Sequence, residues 1–118
     1  MRYLCLIYED EKAWMNATQA DMEKGMAEYN AFTESIKKNG NYVGGEALQP
    51  TSTATSVRVR NGKVSTTDGP FVETKEQLGG YYLINAKDLD EAVKVASRIP
   101  SARNGTIEVR PIQEFDQP

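Results

Sequence analysis

This sequence predicts an α+β fold, and three observations carry the prediction. Two segments repeat apolar residues at helical spacing, the segments between them are strand-like, and two of those strands are joined by the turn Asn61-Gly62. The order is strand, helix, strand, hairpin, strand, helix, strand. At 118 residues the chain is expected to form a single domain, 1–118.

Residues 2–8 open the chain as a strand. Tyr-Leu-Cys-Leu-Ile-Tyr is apolar on both faces, as in a central strand covered on both sides. Cys5, in its middle, reads as a small buried hydrophobe. Residues 9–17 form a polar connection in which Trp14 and Met15 are expected to cover a core edge or a partner subunit. Thr18 then serves as a helix N-cap with Asp21 three residues on. Met22, Met26, Tyr29, Phe32 and Ile36 make one helical face, read as core. Lys37 and Lys38 suit the helix C-terminus, and Asn39-Gly40 ends it.

Residues 41–49 read as a strand broken by Gly44-Gly45, a pair that signals a bulge or close backbone approach. Glu46 follows directly, either as a solvated acid or as one aimed into a cleft by the bulge. Pro50 closes the segment and Thr51 to Thr55 links it onward. In the hairpin over 56–66, Asn61-Gly62 sets a type I′ turn, so Val59 faces Val64 and Arg58 faces Ser65. Thr67 to Tyr82 is the richest stretch. An acid, a Gly-Pro turn, Phe71, the charges Glu73, Lys75 and Glu76, and Gly79-Gly80 lead into a strand over 80–86. Asp68 before Gly69-Pro70 is a turn former. Phe71 reads as an anchor onto the core. Asp88 caps a second helix whose buried stripe is Leu89, Ala92, Val93, Ala96 and Ile99, stopped by Pro100. Ser101 to Gly105 is a loop. Thr106 to Ile112 is the last strand, with Ile107 and Val109 opposite in face to Glu108 and Arg110. The polar tail from Gln113 is expected to be loosely held.

With the hairpin set aside, the order is β-α-β-β-α-β, so the expected architecture is a ferredoxin-like βαββαβ with an inserted β-hairpin. Both helices then lie on one face of an antiparallel sheet. The other face carries apolar residues and needs cover, which predicts a homodimer with the core of a dimeric α+β barrel. A ligand site is expected between sheet and helices or at the subunit boundary.

Composition narrows the chemistry. Net charge is -3 with both signs spread along the chain, which argues against a nucleic-acid partner. No apolar run reaches a membrane-spanning length, and the N-terminal run is too short and aromatic for a signal peptide. A cytoplasmic location follows as the expectation, consistent with one cysteine. There is no histidine, which removes Ser-His-Asp and Cys-His systems and His-ligated zinc. Catalysis would fall to carboxylates, Lys, Tyr or Arg. No cofactor is implied, and no acid spacing matches a known cation loop, so no metal is assigned.

Asp68-Gly69-Pro70-Phe71 and the stretch to Tyr82 resemble the YCII-related family, in its DGPF-domain branch. Tyr3 to Glu9, Val43 to Pro50, Val57 to Arg60, Asp88 to Ala92, Arg98 to Arg103 and Ile107 to Pro111 extend the resemblance over nearly the whole chain. It implies the dimeric α+β barrel and, for some members, a link to extracytoplasmic-function sigma factors. The wider family includes a proposed His-Asp active pair and a dehydrochlorinating enzyme. Here the His half has no counterpart, and Asp68 is the candidate for the acid half.

Asp68 is accordingly the candidate catalytic residue, and Glu46, Asp68, Glu73, Tyr81 and Arg110 are the candidate ligand-binding residues. Two converging carboxylates, Asp68 and Glu73, would form an acid–base pair. Tyr81 or Tyr82 would donate a hydrogen bond and Arg110 would orient an anion. Three functions are carried forward: a small-molecule-binding dimer with a regulatory or sensing role; a His-independent lyase or isomerase using Asp68; and an interaction module serving a sigma-factor pathway. A concave pocket at Asp68 would favour the first two, and an exposed loop with Phe71 outward the third.

Overall fold

A computed structural model describes residues 1–115, and the end of the polar tail, residues 116–118, lies outside the described residues. The described chain is mixed α+β, with two antiparallel sheets and three α-helices. The strands are β1 (Arg2–Glu9), β2 (Tyr42–Ala47), β3 (Thr55–Arg60), β4 (Lys63–Asp68), β5 (Gln77–Asn85) and β6 (Thr106–Pro111). The helices are α1 (Glu11–Met15), α2 (Gln19–Lys38) and α3 (Leu89–Ser97). Strands β2-β5-β1-β6, in that order, form the main sheet, while β3 and β4 pair only with each other.

Local chemistry accounts for the element ends. The Thr18 hydroxyl accepts from the Asp21 amide at 3.1 Å and the Asp88 carboxylate from the Glu91 amide at 2.9 Å, so both expected caps form. Asn61 and Gly62 take φ of 52° and 75°, the left-handed pair a type I′ turn requires. Val59 pairs with Val64 and Arg58 with Ser65, as the turn dictates. The bulge falls between Tyr42 and Gly44.

One face of the main sheet carries the core. Tyr3, Cys5, Ile7 and Ile84 alternate inward and meet Phe32 and Ile36 of α2 and Ala92, Val95 and Ala96 of α3. The molecule is only 19 Å thick, room for one sheet and one helix layer. Within one chain β1 therefore buries one face, and its other residues, Leu4, Leu6 and Tyr8, are half-buried.

Other expectations change in detail. Met22 and Met26 are 52% and 65% exposed, because the core-facing stripe of α2 begins near Tyr29. Leu89 and Val93 are also exposed, and Val95 takes the inward place. Residues 11–15 are helical rather than an irregular connection, because Asp10 caps Lys12 at 3.0 Å. Trp14 of α1 lies on α2, where a Cβ at Gly25 would sit 3.1 Å from its ring. The tail is tied as far as Glu114, which accepts two hydrogen bonds from Arg2 at 2.9 and 2.6 Å. This pair lowers the Glu114 pKa and raises that of Arg2.

The β3–β4 hairpin stands out as an arm. The radius of gyration is 16.5 Å, against about 13.5 Å for a compact chain of this length. Val57, Val59 and Val64 on the arm are exposed.

Candidate functional site

The register across the main sheet assembles one group of candidate residues. Glu46 of β2 stands opposite Tyr81 of β5, Tyr81 opposite Leu6 of β1, and Leu6 opposite Glu108 of β6. The neighbouring row is Gly44, Leu83, Leu4 and Arg110. Both rows lie on the sheet face away from the helices, since Cys5, between Leu4 and Leu6, points into the core. Three sequence-predicted residues, Glu46, Tyr81 and Arg110, thus share one face. Glu108 joins them through an ion pair with Arg110.

The glycines shape this face. A Cβ on Gly45 would stand 2.8 Å from the Tyr81 carbonyl oxygen and 3.0 Å from the Tyr82 ring, so that position admits no side chain without a shift. Gly80 is crowded in the same way, 2.8 Å from the Glu46 carbonyl oxygen. A Cβ on Gly44 would meet nothing within 4 Å. That position opens onto free space beside Glu46 and Leu83. Glu46 and Tyr81 are cross-strand neighbours that can contact one small polar molecule, whereas Arg110 lies on β6, at the opposite edge of the sheet from Glu46.

Asp68 and Glu73 lie elsewhere. Asp68 ends β4 opposite Thr55, and both carboxylates are exposed. Neither is hydrogen-bonded to Glu46, Tyr81 or Arg110 among the described residues. The Asp68 side chain does not close the turn either. Closure comes from the Gly69 amide donating to the Ala54 carbonyl at 2.7 Å and the Ser56 hydroxyl donating to the Gly69 carbonyl at 2.9 Å. Gly69 holds φ of 99°, which suits glycine. Phe71 is 78% exposed rather than anchored on the core of this chain. Among the described residues no three His, Cys, Asp or Glu side chains gather as a metal site.

A second polar group, absent from the sequence reading, sits where β1 ends. Ser101, 3% exposed, donates to the Glu9 carboxylate at 3.2 Å. With that proton committed, Ser101 accepts from the Tyr29 hydroxyl, and the Trp14 indole also donates to Glu9. The result is a directed chain, Tyr29 to Ser101 to Glu9, closed by α1. Tyr82 shares a 2.6 Å hydrogen bond with Thr33, and its ring lies nearly parallel to Tyr29 at 6.5 Å. Burial raises the phenol pKa of both tyrosines, keeping each a neutral donor. Glu9 and Ser101 lie 92 positions apart, so no local pattern could join them. The available signal was that each falls in a stretch carrying the family resemblance.

Comparison with known proteins follows the same stretches. A family described as the YCII-related domain matches residues 1–116. The chain belongs to the YCII-related family. A relative from Rhizobium meliloti (strain 1021), described as an uncharacterized protein, is 36% identical over 114 residues, covering 95% of this chain and 92% of its own length. The YCII-related assignment thus spans the sheet, both long helices and the arm. It assigns no reaction to Glu46, Tyr81 or Arg110.

Proposed function

We propose that this YCII-related protein is a homodimer that binds a small polar molecule between two sheets, with Glu46 and Tyr81 as the contacting residues and Arg110 pairing across the subunits. Each subunit would contribute a ferredoxin-like βαββαβ half of an α+β barrel, and the Asp68-Gly69-Pro70-Phe71 motif supports a place in the DGPF branch. The bound molecule would set a regulatory or sensing state. The observation that carries this reading is the register of the uncovered face. Leu4, Leu6, Leu83 and Tyr81 form its centre, Arg110 lies in one row, and Glu46 and Glu108 lie in the next.

That pattern is self-complementary. A two-fold axis between the sheets, perpendicular to the strands and midway between the two rows, reverses strand direction but keeps strand order. Arg110 then stacks on the partner's Glu108, Leu4 on the partner's Leu6, and Leu83 on the partner's Tyr81. Glu46 meets the partner's Gly44, which has no side chain to fill the space. The open space beside Glu46 would then become an enclosed site, where a buried carboxylate and phenol recognise a polar ligand more strongly than in water.

Sedimentation of the wild type and of Leu6→Glu tests the assembly. The expected result is a dimer that becomes a folded monomer when a carboxylate enters the centre of the face. A wild-type chain that stays monomeric at micromolar concentration refutes it. A thermal-shift screen of metabolites tests the site: a stabilising compound should lose its effect on Glu46→Gln and Tyr81→Phe, and an undiminished shift in both refutes the site.

A second reading rests on Phe71, exposed at the base of an arm that also exposes three valines. It makes the arm a contact for a protein partner, in keeping with the sigma-factor link of the resembling branch. The exposed position of Asp68 lends no support to the lyase or isomerase reading.

A further inference from the structure

On the helix layer, opposite the uncovered sheet face, α2 and the end of α3 enclose an open groove of about 390 Å³. That volume lies within the range of small-molecule sites. Its accessible apolar part is Ala31 and Pro100, with Phe32 only 5% exposed beneath Arg98, and its polar part includes Glu28 beside Ser35, Arg98 and Arg103. The two arginines are in different states. Arg103 is already neutralised by Glu28. Arg98 has no carboxylate partner among the described residues. Its guanidinium donates to the Ser35 hydroxyl and sits 5.7 Å from the centre of the Phe32 ring.

We propose that this groove binds a small monoanionic acid with an apolar body, its carboxylate paired to Arg98 and its body on Ala31 and Pro100. Three features select that class. One uncompensated cation matches one negative charge. A planar guanidinium held by Ser35 and by the ring beneath it presents its remaining N–H groups in the paired geometry a carboxylate accepts. The apolar wall beside it favours an aromatic or branched body over a bare inorganic anion. The site is separate from the uncovered sheet face, so it stands or falls independently of the dimer.

The alternative is that Arg98 is only a strap from α3 to Ser35 of α2, in a charge position that suits a helix C-terminus. The two roles are separable. Ser35→Ala removes the strap's acceptor and keeps the cation, whereas Arg98→Gln removes the cation.

The test is an amide-resolved NMR titration of the full chain with benzoate, and with benzyl alcohol as its neutral counterpart. Saturable benzoate shifts are expected at Ser35, Arg98 and Ile99, with benzyl alcohol at least about tenfold weaker. Arg98→Gln should weaken benzoate about tenfold or more, consistent with loss of a charge-assisted pair. Ser35→Ala should bind within a few-fold of the wild type. Non-saturable benzoate shifts, equal binding of benzyl alcohol, or full affinity in a folded Arg98→Gln each overturns the proposal. If Arg98→Gln does not fold, the benzoate and benzyl alcohol comparison on the wild type decides alone.

Discussion

Replacing Gly45 and Gly44 in turn by alanine tests the register on which the uncovered face depends. At Gly45 the new methyl would lie 2.8 Å from the Tyr81 carbonyl oxygen and 3.0 Å from a carbon of the Tyr82 ring. The carbonyl belongs to the neighbouring strand, so relief requires β2 and β5 to move apart. Overpacking of this kind costs about 1–3 kcal/mol. At Gly44 the methyl meets nothing within 4 Å, and φ lies outside the left-handed region. There alanine restricts the unfolded chain and stabilises by about 0.4–1 kcal/mol. The two variants should therefore differ by about 1.4–4 kcal/mol. For a chain of this size each kcal/mol moves the melting temperature by roughly 3–6 °C. Thermal and urea unfolding of both variants measure the difference. If Gly44→Ala is as damaging as Gly45→Ala, or if Gly45→Ala is neutral, the faces of β2 are reversed. A one-residue slip sends every side chain to the other side, so Glu46 would then point at the helices and the proposed site would be lost.

Cys5 is fully buried, and burial pushes its thiol from 9.0 up to about 11. The folded chain keeps a proton there that the unfolded chain releases above pH 9. The resulting stability is fully present below pH 9 and is lost as pH rises through 11. Urea midpoints from pH 8 to 11 should fall more steeply for the wild type than for Cys5→Ala, and equal slopes would sink the argument. Asp88 and Asp68 should respond oppositely to loss of charge or side chain. Asp88→Ala removes the α3 cap and should cost about 1 kcal/mol, whereas Asp68→Asn, at an exposed position without a side-chain hydrogen bond, should stay within about 0.5 kcal/mol of the wild type. A large loss for Asp68→Asn in urea unfolding would show that the carboxylate holds the turn after all.

What was legible in the sequence follows from how far each signal reaches along the chain. Asn61-Gly62 sets the arm's register because a type I′ turn is decided by two adjacent residues, and Thr18 and Asp88 mark helix starts because a cap acts over three positions. The helical stripes were less secure. Spacing locates a face but not how far the sheet extends beneath it, so Met22, Met26, Leu89 and Val93 matched the period and still lie outside the core. β1 left its cover open for a related reason: six apolar or aromatic residues in a row look the same whether the second face is covered by this chain or by another. The polar chain from Tyr29 through Ser101 to Glu9 was out of reach, because its members come together only after β6 has returned to pair with β1. Glu46, Tyr81 and Arg110 are intermediate. Each was singled out from its own neighbours, yet their common face depends on the bulge between Tyr42 and Gly44, where β2 carries one residue more than β5. Without that extra residue Glu46 would fall on the helix side, opposite Gly80 and in line with Ile7, where a carboxylate would be buried without a partner. The bulge is thus what turns a half-apolar sheet face into one that carries an acid, a phenol and a cation together.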